Sequence, residues 1–204
     1  MKLSRRSALC LAASVALFLT GPAMAKPNAE TLRLMKKRDS ERYEVKTSHS
    51  SVKAGAARVT VKAPTKVVKK VVQDFGRYDD FMPRFKKANI VGRKGKQTDV
   101  YIEVPILRGA AKVWAVVRFS PPKRINSSEE VVEGHMIKGN VRRLDAKWKI
   151  KKIDADNTQL HLEMLIVPKL PVPGSLVTGE VAYAADKGVM GARDRAEKKH
   201  AKSK

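Results

Sequence analysis

Acid–base chemistry needs ionisable side chains that converge, and the histidines of this chain are far apart in sequence: His49, His135, His161 and His200. His161 alternates with leucines on a predicted strand, so it faces away from the apolar side of that strand. His49 lies in a serine-rich segment and His200 in a lysine-rich tail. Only His135, beside Gly134 on a predicted middle strand, is placed where it could reach an interior cavity. The histidines therefore predict no catalytic residue.

Three carboxylates, Glu103, Glu133 and Glu163, alternate with apolar residues on predicted strands, and they would face inward only if the register shifted by one residue. The chain has no histidine pair at metal-ligand spacing, no glycine-rich phosphate loop and no G-x-S-x-G nucleophile elbow. We therefore predict no metal site and no cofactor. An enzyme remains an open alternative to a binding protein.

The first 25 residues have the three parts of a secretory signal peptide. Lys2, Arg5 and Arg6 give a positive start, an apolar run follows over residues 8–20, and Ala23-Met24-Ala25 fits a small-x-small cleavage site. The apolar run is shorter than the ~20 residues that a membrane-spanning helix needs. We predict cleavage after Ala25 and a periplasmic or secreted product. The sequence leaves the choice between the general and the twin-arginine export route open.

The chain carries a formal net charge of +23, and removal of the signal peptide would leave +20. Cys10 is the only cysteine and lies inside the signal peptide, so the mature chain would contain neither a disulfide nor a thiolate metal site. Such a basic surface favours anionic partners, namely an anionic membrane surface, an acidic protein or a glycan. Nucleic acid is not an expected partner, because few nucleic-acid targets lie outside the cytoplasm. A basic surface that only promotes solubility is a further alternative.

The hydrophobic pattern divides the chain into four segments: a signal peptide (1–25), a charged N-terminal segment (26–42), one domain (43–198) and a basic tail (199–204). After two extended pieces, valines at helical spacing predict a helix that follows Pro64, and a second short helix ends near Phe85. Alternation with period two predicts strands near 99–106, 111–120, 129–137, 144–150 and 160–166. A long amphipathic helix is predicted from about Ser175 to Glu197. This order predicts an α+β fold, with a curved antiparallel sheet around the long helix.

Three motifs occur in an order that is typical of one superfamily. The first motif reads V-T-V-K-A-P over residues 59–64 and continues with Asp74-Phe75-Gly76-Arg77-Tyr78. The second is Phe81-Met82-Pro83, and the third comprises Gly139, Trp148 and Thr158. The chain thus resembles the START-like superfamily, also called the polyketide cyclase/dehydrase or coenzyme Q-binding-protein-like group. The resemblance covers residues 45–197 and implies the helix-grip fold, with two short helices after the first strand. It does not specify the ligand.

The core-facing side of the long helix carries mostly small residues. Long side chains normally fill the space between a helix and a sheet, because protein interiors are close-packed. Small side chains leave room for an apolar ligand. We predict a ligand-binding cavity lined by Ile102, Val104, Val113, Val117, Leu144, Ile150, Leu162, Met164, Val177, Val181, Ala184 and Gly188. The open alternative is that Met164, Phe119 and Trp148 fill this space.

These observations favour an exported binding protein that holds an apolar small molecule, such as a lipid, a sterol-like compound or an isoprenoid. Its basic surface would promote docking on anionic membranes. Two alternatives remain open at this point: an interaction module for an acidic protein or glycan, and an enzyme of the cyclase or hydrolase type. The sequence determines neither the ligand nor the oligomeric state.

Overall fold

A computed structural model describes residues 29–36, 39–48, 52–106, 109, 111–169 and 171–203. The predicted signal peptide (1–25) and His49 lie outside the described residues. The described helices are α1 (Ala29–Lys36), α2 (Thr65–Val72), α3 (Tyr78–Phe81) and α4 (Gly174–Ala201), with a 3₁₀ turn at Phe75–Arg77. The described strands are β1 (Glu41–Val45), β2 (Ala54–Val61), β3 (Lys87–Lys94), β4 (Gln97–Ile106), β5 (Ala111–Phe119), β6 (Lys123–Arg124), β7 (Glu129–Gly139), β8 (Arg143–Lys152) and β9 (Thr158–Val167).

The strands form one antiparallel sheet in the order β1-β2-β9-β8-β7-β5-β4-β3, and the short β6 pairs with β7. The sheet curves around α4, and the buried apolar residues lie between them. We call the side of the sheet turned away from α4 its outer face. The predicted α+β helix-grip fold is confirmed.

Strands β3 and β6 were not predicted from the sequence. In β3 only Ala88 is buried, whereas Ile90 and Val91 are 44% and 57% exposed. An edge strand that is exposed on both faces does not show the alternation of a half-buried strand, so its pattern gives no strand signal. At the other end of the chain, α4 continues to Ala201, so the predicted basic tail begins as helix.

The residues of the first motif attach α2 to the sheet. Pro64 precedes the first turn of α2, and its carbonyl oxygen accepts the first helical hydrogen bonds. The hydroxyl of Thr158 on β9 donates to the carbonyl oxygen of Ala63 at 2.8 Å and lies 3.2 Å from the hydroxyl of Thr65. The buried valines of α2 then face the core. These motif residues therefore hold the helix at the end of the sheet.

Glycines allow α4 to approach its neighbours closely. A β-carbon built on Gly55 of β2 would lie 2.2 Å from the backbone nitrogen of Ala182. A β-carbon on Gly191 would lie 1.8 Å from the carbonyl oxygen of Phe81. Real β-carbons do not approach other atoms so closely, so both positions require glycine while α4 keeps this place.

Arg195 ties the C-terminal half of α4 to the bend between α2 and α3. Its guanidinium donates to Asp74 at 3.0 Å, lies 3.9 Å from a carboxylate oxygen of Asp80 and stacks over the ring of Phe81 at 4.6 Å. Tyr78 is buried at the same bend, and its hydroxyl donates to the carbonyl oxygen of Val72 at 2.5 Å. The aspartate and the tyrosine of the first motif thus have structural partners.

Candidate ligand-binding site

An apolar cavity lies between α4 and the sheet, near the end where β4 ends and β5 begins. Its enclosed volume is about 50 Å³. Its wall is built by β4, β5, β8, β9, α4 and the segment around α3, and the lining residues are Tyr78, Arg84, Phe85, Ile102, Val104, Pro105, Val113, Val117, Phe119, Leu144, Ala146, Trp148, Leu162, Met164, Ile166, Glu180, Val181 and Ala184.

Most of the residues predicted to line a cavity lie together around this one. They are Ile102, Val104, Val113, Val117, Leu144, Leu162, Met164, Val181 and Ala184. On each strand they occupy alternate positions, because side chains of a strand point to opposite faces in turn. The structure thus brings these residues to one space, and ligand binding by them stays a prediction.

Three predicted lining residues lie elsewhere, and this corrects the prediction for them. Ile150 is fully buried next to Leu160, away from the cavity, because it belongs to the packed end of β8. Val177 packs against the edge of the core. A β-carbon on Gly188 would lie 2.9 Å from Cδ2 of Leu162, so α4 touches the sheet there and leaves no open space.

Aromatic rings form the floor of the cavity, and most of them were not predicted to line it. Tyr78 contacts Phe85, Phe119 and Trp148 edge to face, with ring centroids 5.7, 6.5 and 6.3 Å apart. Burial raises the pKa of the Tyr78 phenol. The sequence left open that Phe119 and Trp148 fill the space between α4 and the sheet, and in the structure their rings occupy part of it. The signal for Tyr78 was its place in the first motif.

One charged pair lies at the rim of the otherwise apolar cavity. The guanidinium of Arg84 lies 3.3 Å from the carboxylate of Glu180 and donates to the carbonyl oxygen of Pro105 at 3.2 Å. It also lies 5.2 Å from the ring centroid of Tyr183. Among the described residues, the ionisable side chains of the cavity wall are Tyr78, Arg84 and Glu180. A bound molecule with one polar end would therefore turn that end toward Arg84 and Glu180.

The three histidines that the structure describes do not line the cavity. The side chain of His135 is 63% exposed on the outer face, where its Nδ1 lies 2.8 Å from Asp145, so the expectation that it could reach the interior is wrong. His161 also faces outward and lies 3.1 Å from the hydroxyl of Tyr43. Burial and the nearby charges of Lys149 and Arg58 lower the pKa of His161 to about 4, so it is neutral at pH 7.

The carboxylates of the strands pair with cations on the outer face, as the predicted register requires. Glu103 accepts from Lys112, Glu133 pairs with Lys147, and Glu163 accepts from Lys149; the six side chains form three separate ion pairs. Hydrogen bonding to Lys147 lowers the pKa of Glu133. These groups lie across the sheet from the cavity.

Within the described ranges, no group of three or more His, Cys, Asp or Glu side chains is placed to hold a metal ion. None of the described helices is long and apolar enough to cross a membrane.

The fold and the cavity agree with a comparison to known families. Residues 61–183, more than half of the chain, match the family described as polyketide cyclase / dehydrase and lipid transport. The chain belongs to this family. The resemblance stated from the three motifs is therefore confirmed for the polyketide cyclase/dehydrase and lipid transport family. Among curated protein sequences, none matches the chain.

Solved structures with the same fold come from bacteria and from humans. A STAR-related lipid transfer protein from Xanthomonas axonopodis has a TM-score of 0.65 at 16% identity, over 77% of this chain and 93% of that one. Human StAR-related lipid transfer protein 5 has a TM-score of 0.66 at 9% identity, over 83% and 93% of the two chains. The Zhui aromatase/cyclase from Streptomyces sp. R1128 has a TM-score of 0.53 at 17% identity, over 80% and 94%. At these identities the likeness establishes the fold.

Proposed function

We propose that this protein is an exported carrier that binds one apolar small molecule, of the lipid, sterol-like or isoprenoid class, between α4 and the sheet. The observation that carries the proposal is the cavity itself, whose wall is apolar except for Arg84 and Glu180 at its rim. Such a wall gains free energy when it removes an apolar molecule from water. Membership in the polyketide cyclase / dehydrase and lipid transport family, and the similar structures of two lipid transfer proteins, support the same class of ligand.

The size of the cavity determines how binding must proceed. Its enclosed volume of about 50 Å³ is well below the ~300 Å³ or more of typical small-molecule pockets. A lipid-sized ligand therefore requires the lining side chains or α4 to move outward. Ala184 and Val181 present small side chains on α4, so a modest shift of the helix there enlarges the space. We expect the bound form to be wider than the form described here.

Native mass spectrometry of the protein recovered from the exported soluble fraction tests export and binding together. We expect a polypeptide that begins at Lys26 and carries a bound apolar compound, which organic extraction releases. A chain that keeps Met1 and stays in the cytoplasm would contradict export. A ligand-free chain that also fails to take up an apolar fluorescent probe would contradict the carrier, whatever its location.

We further propose that the basic surface brings the carrier to anionic membranes. The mature chain would have a net charge of +20, and each basic residue near such a membrane contributes ~1 kcal/mol. Binding to anionic vesicles should be strong in low salt and fall steeply as the Debye length shrinks from ~10 Å at 0.1 M to ~3 Å at 1 M. Vesicles of neutral lipid are the control. Equal binding to both kinds of vesicle would leave the charge as a solubility property.

A further inference from the structure

A second pocket lies at the opposite end of the sheet from the Arg84–Glu180 rim, between the C-terminal end of α2 and the turn that joins β3 and β4. We call it the hairpin pocket, and its volume is about 170 Å³. Its polar side chains are Gln73, Arg93, Lys96, Thr98 and Ser120. Its apolar floor includes the rings of Phe75 and Phe119, which stack with centroids 4.4 Å apart. This pocket has several polar and charged groups in its wall, whereas the wall of the apolar cavity is almost entirely apolar.

The register of the strands builds this pocket. Arg93 on β3 pairs with Thr98 on β4, and Thr98 pairs with Phe119 on β5. The three side chains therefore form a row across the inner face of the sheet, the face on which α4 packs. Lys96 follows Gly95, whose positive φ of 59° makes the two-residue turn between β3 and β4. The turn thus places Lys96 at the wall of the same pocket as Arg93.

The positive charge of the hairpin pocket is not neutralised by the protein. Among the described residues, neither Arg93 nor Lys96 has a carboxylate partner, and no carboxylate lines the pocket. The nearby Asp99 points to the outer face, where both of its oxygens accept from Arg118 at 2.7 Å. Asp74, at the other side, accepts from Arg195 at 3.0 Å. Two cations therefore face one concave space without a counter-charge.

The other polar groups of the hairpin pocket can donate hydrogen bonds to an anion. Gln73 supplies an amide, and Thr98 and Ser120 supply hydroxyls. A guanidinium, an ammonium, an amide and two hydroxyls match a ligand that presents several negatively charged oxygens. The buried rings of the floor exclude water from one side, which strengthens the attraction between opposite charges. We propose that the hairpin pocket binds a phosphate group, either of a soluble phosphomonoester or of a lipid headgroup.

Calorimetric titration of the mature chain with inorganic phosphate at low salt tests this site. We expect saturable binding, and we expect R93Q and K96Q each to weaken it about tenfold, since each removes a charge-assisted hydrogen bond. K94Q is the matched control. It removes the same charge from the same turn, but Lys94 is adjacent to Arg93 on the strand and so points to the outer face.

The outcome is decided by comparing these three variants. A tenfold loss for R93Q and K96Q, with K94Q within about twofold of the parent, supports the hairpin pocket. If all three variants lost affinity for phosphate equally, the effect would come from surface charge in general, and the proposal would be wrong. It would also be wrong if the parent protein showed no saturable binding of phosphate. Arg93 and Lys96 are exposed on a hairpin, so we expect all variants to fold, and their unfolding midpoints serve as the check.

Two further arms identify the source of the phosphate. If glycerol phosphate in solution binds and is sensitive to R93Q, the site takes a free phosphomonoester. If glycerol phosphate does not bind, but vesicles that contain phosphatidic acid bind and R93Q weakens this binding, the site takes a lipid headgroup. The polar groups that would hold the phosphate lie outside the apolar cavity, which the hairpin pocket adjoins at the ring of Phe119. A184L, which alters that cavity, should leave phosphate binding unchanged.

Discussion

Replacing Gly191 with alanine should destabilise the domain by about 3 kcal/mol or more, the upper range for overpacking. The added β-carbon would lie 1.8 Å from the carbonyl oxygen of Phe81 and 2.9 Å from its carbonyl carbon. Both are backbone atoms, so no side-chain rotation relieves the contact. The helix α4 must move away from α3, and this would also weaken the contacts of Arg195 with Asp74 and Phe81.

Gly179, in the same helix, provides the matched control. A β-carbon there would meet no atom within 4 Å, and the residue is exposed. Alanine favours a helix interior by ~1 kcal/mol over glycine, so G179A should stabilise the domain by up to about that amount. Urea denaturation measures the change in the free energy of unfolding for both G191A and G179A. If G191A unfolded at the urea concentration of the parent, the close approach of α4 to α3 would be wrong.

Replacing Ala184 with leucine should weaken the binding of an apolar fluorescent probe by about tenfold or more, while the free energy of unfolding changes by less than about 1.5 kcal/mol. Ala184 lies on the cavity wall opposite the strands, so the larger side chain enters space that a ligand would use. Because it fills a gap, it also gains apolar contacts that offset part of the strain.

Gly188, one turn further along α4, is the control position. Its added β-carbon would meet Cδ2 of Leu162 at 2.9 Å, and that atom ends a flexible side chain. G188A should therefore cost about 1 kcal/mol of stability yet keep most of the probe binding. The opposite pattern, with binding lost in G188A and kept in A184L, would place the ligand elsewhere. If the protein has a cyclase activity instead, A184L would lose turnover together with binding.

Ala184 and Gly188 also illustrate what the sequence can and cannot predict. Both are small and both lie on the core-facing side of α4, so helical periodicity assigns them the same role. Whether a small residue leaves a cavity or allows close packing depends on the strand residue across from it. Leu162 reaches Gly188, whereas the wall around Ala184 stays open. That pairing is set by the curvature of the sheet, which no local pattern encodes.

Strands with one buried face were predictable, because period-two alternation reports burial directly. The edge strand β3 was not predictable in this way, since Ile90 and Val91 are exposed.

The hairpin pocket was not predicted from the sequence for a related reason. Gln73 and Ser120 are far from Arg93 in sequence, and only the pairing of β3, β4 and β5 brings them together. By contrast, Asp74 and Tyr78 were already singled out by their motif, and they hold the bend between the helices through long-range and local hydrogen bonds respectively.

The position of β2 has a consequence for the order in which the molecule can assemble as it is synthesised. This strand lies near the start of the domain, yet it pairs with β9 and is covered by α4, the last two elements that the structure describes. Residues 54–61 leave the ribosome more than 100 residues before α4 is complete. Until then β2 has only β1 as a partner, and its buried face is open to water. Contacts so distant in sequence slow folding and make it depend on the full length of the chain. The nascent N-terminal half therefore lacks a core of its own until β9 and α4 have been synthesised.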